Sequence, residues 1–504
     1  MPPNDRSGRS SARRGLAALL LLAGCAVGPD FHRPAPPAAD RLTPEPLPAE
    51  TAAADVPGGA AQRFVADRDI PGQWWTLFGS EPLNALIAQA LSANADLAAA
   101  QAALRVAQEN IAAQRGAFWP SIDANFSPSR QKNPTGSVAP TAATGVPIFS
   151  LYTAQVSVSY VPDVFGGTRR QLESLAAQGD AQRFQLAATY VTLTANIVAA
   201  AVQEASLRAQ IAATEDIVGI ESELLALLRR QSALGQIAQA DVVAQQAALA
   251  QTEQSLYPLR KQLAQERDLL AALVGRFPAD APGEPFELAT LRLPEELPVS
   301  LPAKLVEQRP DVRAAEANLQ AASAQVGVAV ANRLPNITLS ASDGTTATSL
   351  GGLFSPGTGF WSLAASLTQP VFAGGTLLHR QRAAEAAYDQ AAAQYRGAVL
   401  TAFQNVADTL RALAIDADAL QAAVRAERAA ADSLGIARRR VELGQASYLS
   451  LLNAQQTYQQ ARITLVQAEA SRFADTAALF QALGGGWWNR TAAVDKSEAR
   501  ASAP

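Results

Sequence analysis

One cysteine and two histidines serve a chain of 504 residues. Cys25 alone builds no disulfide framework, and His32 and His379 offer no clustered metal site. No nucleophile–base constellation, phosphate loop or metal-ligand spacing is found. Gly166-Gly167-Thr168 and the glycine run at 484–486 read as corners. A basic excess is missing too. The net charge is −4, and removing residues 1–24 takes four arginines and leaves the rest more acidic. That balance argues against a nucleic-acid partner. Proline, of which the chain holds 30, is absent from 375–484. Proline would break a helix ladder, so this stretch permits two very long helices.

Alanine, glutamine and leucine dominate, which favours such helices. At the middle of 375–484 sits Arg438-Arg439-Arg440-Val441-Glu442-Leu443-Gly444-Gln445. Gly444 offers the turn between two arms, because glycine takes a left-handed backbone freely. Before it, Phe403, Val406, Leu410, Leu413, Ala417, Leu420 and Val424 step by threes and fours, the spacing of a coiled coil. The first arm, from Thr376 to Leu443, predicts a rod of roughly 100 Å.

The same unit occurs 209 positions upstream, as Arg229-Arg230-Gln231-Ser232-Ala233-Leu234-Gly235-Gln236. Val242, Leu249, Leu256, Leu263 and Leu270 step by sevens on its returning arm. Their counterparts are Leu451, Tyr458, Leu465, Arg472 and Leu479, and Arg472 alone breaks the seam. Two aligned copies with one turn mark an internal duplication.

A basic segment with an apolar run at 16–22 reads as a secretion signal, too short to span a bilayer. Leu22-Ala23-Gly24-Cys25 follows and resembles the bacterial lipoprotein box. The resemblance implies cleavage before Cys25 and acylation of that residue; the other reading is a plain signal and a buried cysteine. Ala26 after the cysteine implies outer-membrane sorting. No other cofactor is expected. Residues 27–60, rich in proline and alanine, should be extended or partly disordered. Trp74-Trp75-Thr76-Leu77-Phe78 opens the packed part as core. Residues 82–116 read as helical, with Leu83, Leu86, Ile87, Ala90 and Leu91 on one face.

Each repeat then changes to period two. Ile122, Ala124 and Phe126 alternate with polar residues, as do Tyr152, Ala154, Val156, Val158 and Tyr160. Ile337, Leu339 and Ala341 do the same, then Trp361, Leu363, Ala365 and Leu367. These are four strands, with loops expected at 128–147 and 343–359. Either they form a small soluble sheet, or their apolar face meets lipid. Four strands cannot close a membrane barrel, and an open edge does not survive in lipid, so the second account needs several copies. Three give twelve strands. Pro162 and Pro370 end strands at matching Gly-Gly corners, and Pro258 should kink its helix.

Cys25-Ala26-Val27-Gly28-Pro29-Asp30-Phe31, the stretch from Trp75 to Leu83, the turns at Gly235 and Gly444, and Leu483-Gly484-Gly485-Gly486-Trp487 together resemble the TolC-type outer-membrane efflux proteins, lipid-anchored drug-efflux branch. The resemblance implies a mainly α fold with a membrane β part. Duplicated helical hairpins would form a trimeric α-barrel, with a twelve-stranded trimeric β-barrel in the outer membrane. It divides the chain into a signal peptide (1–24), an anchored N-terminal segment (25–70), a first repeat (71–277), a connector (278–302), a second repeat (303–486) and a tail (487–504). It implies a homotrimer meeting outer-membrane lipid, a periplasmic adaptor (membrane fusion) protein and an inner-membrane pump of the resistance-nodulation-division type. Gly235, Gln236, Gly444 and Gln445 would form the adaptor-contact tip, or simply a helix turn. Asp241 falls at a gate-linking position of the family; its other reading is a helix N-cap. Ser450 and Asn453 stand where some relatives carry aspartates that ring the narrowest point. The function implied is passive conduction of small molecules, without enzyme chemistry. A protein-secretion (type I) duct is the alternative. A periplasmic adaptor would lack the two strand pairs, and an envelope enzyme would lack its catalytic residues.

Overall fold

The structure is a computed structural model that describes residues 26–35, 41–132, 148–280, 285–300 and 302–490. Cys25 and the signal segment lie outside them. The chain divides into two compact units. One comprises Leu104–Ala181 and Ala315–Tyr395 with the chain up to Arg33; the other comprises Pro34–Ala103, Gln182–Ala314 and the chain from Arg396 onward.

The first unit is built on an antiparallel sheet of β2 (Ser121–Lys132), β3 (Ile148–Tyr160), β5 (Asn336–Ala347) and β6 (Gly359–Thr368), in the order β2-β3-β5-β6. Its register separates two faces. Ile122, Val158, Ala341 and Leu363 lie in one row; Asp123, Ser157, Ser342 and Ser362 lie in the next. Successive strand residues point to opposite sides, so one face is largely aliphatic and aromatic, and the other largely hydroxyl and amide. Ser342 and Ser362 hydroxyls meet at 2.7 Å, and those of Thr153 and Thr346 at 3.2 Å.

The strands run further than their alternation indicates. β2 continues through Pro128 to Lys132, and β5 through Asp343 and Gly344 to Ala347. Within one chain β2 pairs on one side only, which leaves room for Pro128 in the strand. Gly344 belongs in the ladder because a Cβ there would lie 2.5 Å from the Ala154 carbonyl oxygen. The loops therefore begin later than at 128 and 343, and most of the first falls outside the described residues.

The second unit holds most of the paired helices. The first pair is α3 (Gly167–Ala233) and α4 (Gln239–Leu273); after α5 (Pro302–Gln308) and α6 (Pro310–Ala331), the second is α7 (Thr376–Glu442) and α8 (Tyr448–Ala482). In both repeats the arms have 67 and 35 residues. The seam of α7 is buried from Val406 to Val424, and α4 runs on through Pro258. Trp74, Trp75 and Phe78 are core, with Trp74 stacked on Phe480 at 5.2 Å.

Three features go beyond the sequence expectation. Residues 82–116 form two helices, α1 (Glu81–Ala93) and α2 (Ala95–Gly116). Asn94 divides them: its Oδ1 accepts from Leu97 N at 3.0 Å, and its Nδ2 donates to the Leu273 carbonyl at 2.9 Å. A side chain that caps the next helix favours leaving the first. Second, β1 (Arg63–Ala66) pairs in parallel with β4 (Glu296–Val299), so the N-terminal segment and the connector share a two-stranded sheet. Third, Arg472 is fully buried on the α8 seam.

Candidate functional site: hairpin tips, gate and N-terminal clasp

Both tips end in the same hydrogen-bonded cap. Gly235 N donates to Ser232 O at 2.9 Å and Gln236 N to Gln231 O at 3.0 Å. Gly444 N donates to Val441 O at 3.0 Å and Gln445 N to Arg440 O at 2.8 Å. This is the Schellman pattern, which places a left-handed residue after the last turn. Both glycines have φ of +70°, and an added Cβ would meet nothing within 4 Å. The glycines serve the turn and leave the tip surface open. Leu234 and Leu443 beside them are 73% and 70% exposed. Gln236 and Gln445 are exposed as well.

Asp241 is not an N-cap. Ala238 holds that position of α4, and Asp241 lies in the first turn without capping. The reason is geometric: the cap residue is the extended one, with Ala238 at ψ 145°. Ser450, the counterpart of Asp241, donates its hydroxyl back to Ser447 O at 2.6 Å, and Asn453 is exposed one turn on.

Behind the tips, Leu225, Leu228, Val242, Tyr448 and Leu451 form a small core. A polar chain crosses it. The Tyr448 hydroxyl donates to Gln245 Oε1, and Gln245 Nε2 donates to the Glu221 carbonyl at 3.2 Å. Tyr448 and Gln245 come from different hairpins. Burial pushes the Tyr448 hydroxyl above its ordinary range, and the charges of Glu221 and Asp241 push it further. Burial raises the Glu221 carboxyl too, and its Oε2 has no hydrogen-bond partner among the described residues. So Asp241 stands near the second hairpin, while Ser450 and Asn453 add no charge. The sequence reading misses Tyr448, Gln245 and Glu221. A signal is present: their positions in the other repeat hold Gln239, Ala454 and Ala430.

The residues just after Cys25 are clasped in the first unit. Val27 N donates to Phe165 O at 3.1 Å. Arg170 donates from Nε to Val27 O at 3.1 Å, and its Nη2 meets Asp30 at 2.7 Å. That contact with the Arg170 guanidinium lowers the Asp30 carboxyl. A Cβ on Gly166 would lie 2.6 Å from the Ala26 Cα, and one on Gly28 2.4 Å from the Gly327 Cα. Ala26 thus sits against the corner that follows β3.

The model of the family described as "Outer membrane efflux protein" matches residues 86–276 and 301–485. The chain belongs to that family. It is 31% identical over 479 residues to the probable efflux pump outer membrane protein TtgC of Pseudomonas putida, covering 94% of this chain and 95% of the relative. It is 29% identical to the outer membrane protein OprJ of Pseudomonas aeruginosa, with 94% and 96% covered. The solved outer-membrane channel OprN superposes with a TM-score of 0.81 at 28% identity, over 92% of this chain and all of that one. The protein is an outer-membrane efflux component, and the family is one of transport, not catalysis.

Proposed function

We propose that three copies assemble into one passive duct, each giving four strands to a twelve-stranded barrel and two hairpins to a periplasmic helical barrel. One observation carries this reading. The sheet has two unpaired edges, β2 and β6, and an apolar face that stays exposed. Ile122 is 70% exposed, Leu367 67%, and Trp361 and Leu363 78% each. An apolar face of that kind belongs in lipid, and there every edge must be closed.

The open tips, each with an exposed leucine beside its glycine, fit docking by a periplasmic adaptor. An inner-membrane pump of the resistance-nodulation-division type would drive the flow. The pump relatives named for antibiotic and toluene efflux favour small-molecule cargo over secreted protein. Cys25 carries the lipid anchor, and the clasp on Ala26 supports this, because it delivers the chain to the base of the membrane sheet. The duct needs no cofactor.

Planar-bilayer recording of the purified protein tests the reading. Stepwise conductance is expected; a protein that never conducts, even after Asp241→Ala loosens the tip, contradicts it.

A further inference from the structure

The far end of the sheet carries charge of one sign only. Residues 124–162 contain two charged side chains, Arg130 and Lys132, and residues 344–378 contain none. This is unlike the rest of an acidic chain. Arg130 and Lys132 share the face of Ile122, Ala124 and Phe126, since each lies an even number of residues along β2. In register they oppose Ser150 and Ile148 of β3. Both are exposed, and among the described residues neither has a carboxylate partner. Tyr152, opposite Pro128, lies on this face just before them. Along this face, Asp343 and Trp361 lie in the row of Ala124 and Val156, and the two cations lie beyond Phe126 and Tyr152 at the end of β2. The cations are therefore in line with the lipid-facing strip, not on the hydroxyl face.

We propose that Arg130 and Lys132 form a rim that binds the phosphate groups of the glycolipid in the outer leaflet around the barrel. The proposal rests on the membrane reading of the sheet given above. The physical basis is direct. Long basic side chains lay their stems on apolar surface and hold their heads at its boundary. Guanidinium and ammonium groups there form charge-assisted hydrogen bonds to phosphate. The two lie about 7 Å apart along one strand face, and both are exposed. A free ion would gain little at such an open place, whereas a phosphate tethered to an inserted lipid is held at this height. Each basic side chain beside an anionic lipid surface strengthens binding roughly fivefold, so the pair gives roughly 30-fold per site.

Native mass spectrometry of the full-length protein in neutral detergent reads this ratio. The probes are bis-phosphorylated lipid A, the same lipid after phosphatase treatment, and inorganic phosphate. The expected result is a roughly 30-fold preference for the phosphorylated lipid. It should fall to near unity in Arg130→Gln/Lys132→Gln and persist in Arg130→Lys/Lys132→Arg, whose charges are unchanged. A double glutamine variant that keeps the preference overturns the proposal. So does inorganic phosphate that displaces the lipid at equal concentration, because the site would then read an ion and not a lipid. If the wild type shows no preference yet conducts in bilayers, the rim is wrong and the duct stands. If it shows no preference and never conducts, both fall.

Discussion

The Arg472 guanidinium donates from Nη1 to the Leu413 carbonyl at 2.7 Å, in an interior where Arg472 is fully buried. Its remaining donors reach the N-terminal segment: Thr51 Oγ1 at 3.1 Å, Ala60 O at 3.3 Å and Gly58 O at 3.4 Å. Burial lowers the Arg472 pKa, and the charges of Asp416 and Asp475 oppose that. A cation on a heptad seam thus ties α7, α8 and the segment at 51–60 together. Arg472→Leu would restore the apolar heptad but strand four carbonyl or hydroxyl acceptors and leave the Asp416–Asp475 pair without its cation; burial and Asp416 already push the Asp475 carboxyl up to about 7. Breaking such a buried set costs about 3–5 kcal/mol. We expect a lowered unfolding temperature and proteolysis within 51–60 under native conditions. An unchanged melting curve would remove this role.

Glu469 gives a pH dependence. Burial is the main cause that pushes its carboxyl up to about 7; the Arg462 charge lowers it and the Glu427 charge raises it. The folded state then binds more protons than the unfolded state between the ordinary glutamate range and pH 7. Stability should fall as pH rises through that window, with the full penalty present above it. The penalty is at most about 3 kcal/mol. Glu469→Gln should reduce the decline in unfolding temperature between pH 5 and 8; the part that remains belongs to Asp475, whose carboxyl burial also pushes up to about 7.

Tyr448→Phe tests whether the bond between hairpins behind the tips holds the proposed duct shut. The ring keeps its place among Leu225, Leu228, Val242 and Leu451, while the bond to Gln245 is lost. One such bond is worth about 1 kcal/mol, hence a roughly fivefold rise in open probability in single-channel recordings. Gln245→Ala should act alike, and the double variant should add little to either.

Gly28→Ala should free the N-terminal clasp. Its φ of +96° and the 2.4 Å approach to Gly327 leave no room for a methyl group. We expect protease access at 26–33 and poorer membrane assembly, with the mass of the lipid proposed on Cys25 unchanged. Asp30→Asn, at the exposed end, should leave the segment docked.

Much of this molecule is written as local periodicity. The heptads from Val406 to Val424, the tip glycines and the prolines ending β3 and β6 all act on their neighbours in the chain, so the order of residues alone reveals them. What escapes such a reading depends on distant partners. β1 finds β4 more than 200 residues away, and nothing near Arg63 announces it. Pro128 and Gly344 look like loop residues; pairing on one side only within the chain admits the first and a crowded neighbouring strand demands the second. Arg472 looks like a flaw in a seam until the N-terminal segment supplies its acceptors. At the tip, Asp241 stands out by its place after the glycine, but Tyr448 and Gln245 have meaning only across hairpins.

The mass of the detergent-purified particle tests most directly whether one copy is a third of a closed barrel. Light scattering corrected for bound detergent should give three times the mass of the processed chain. A stable particle of one chain, with its apolar sheet face in water, would contradict it.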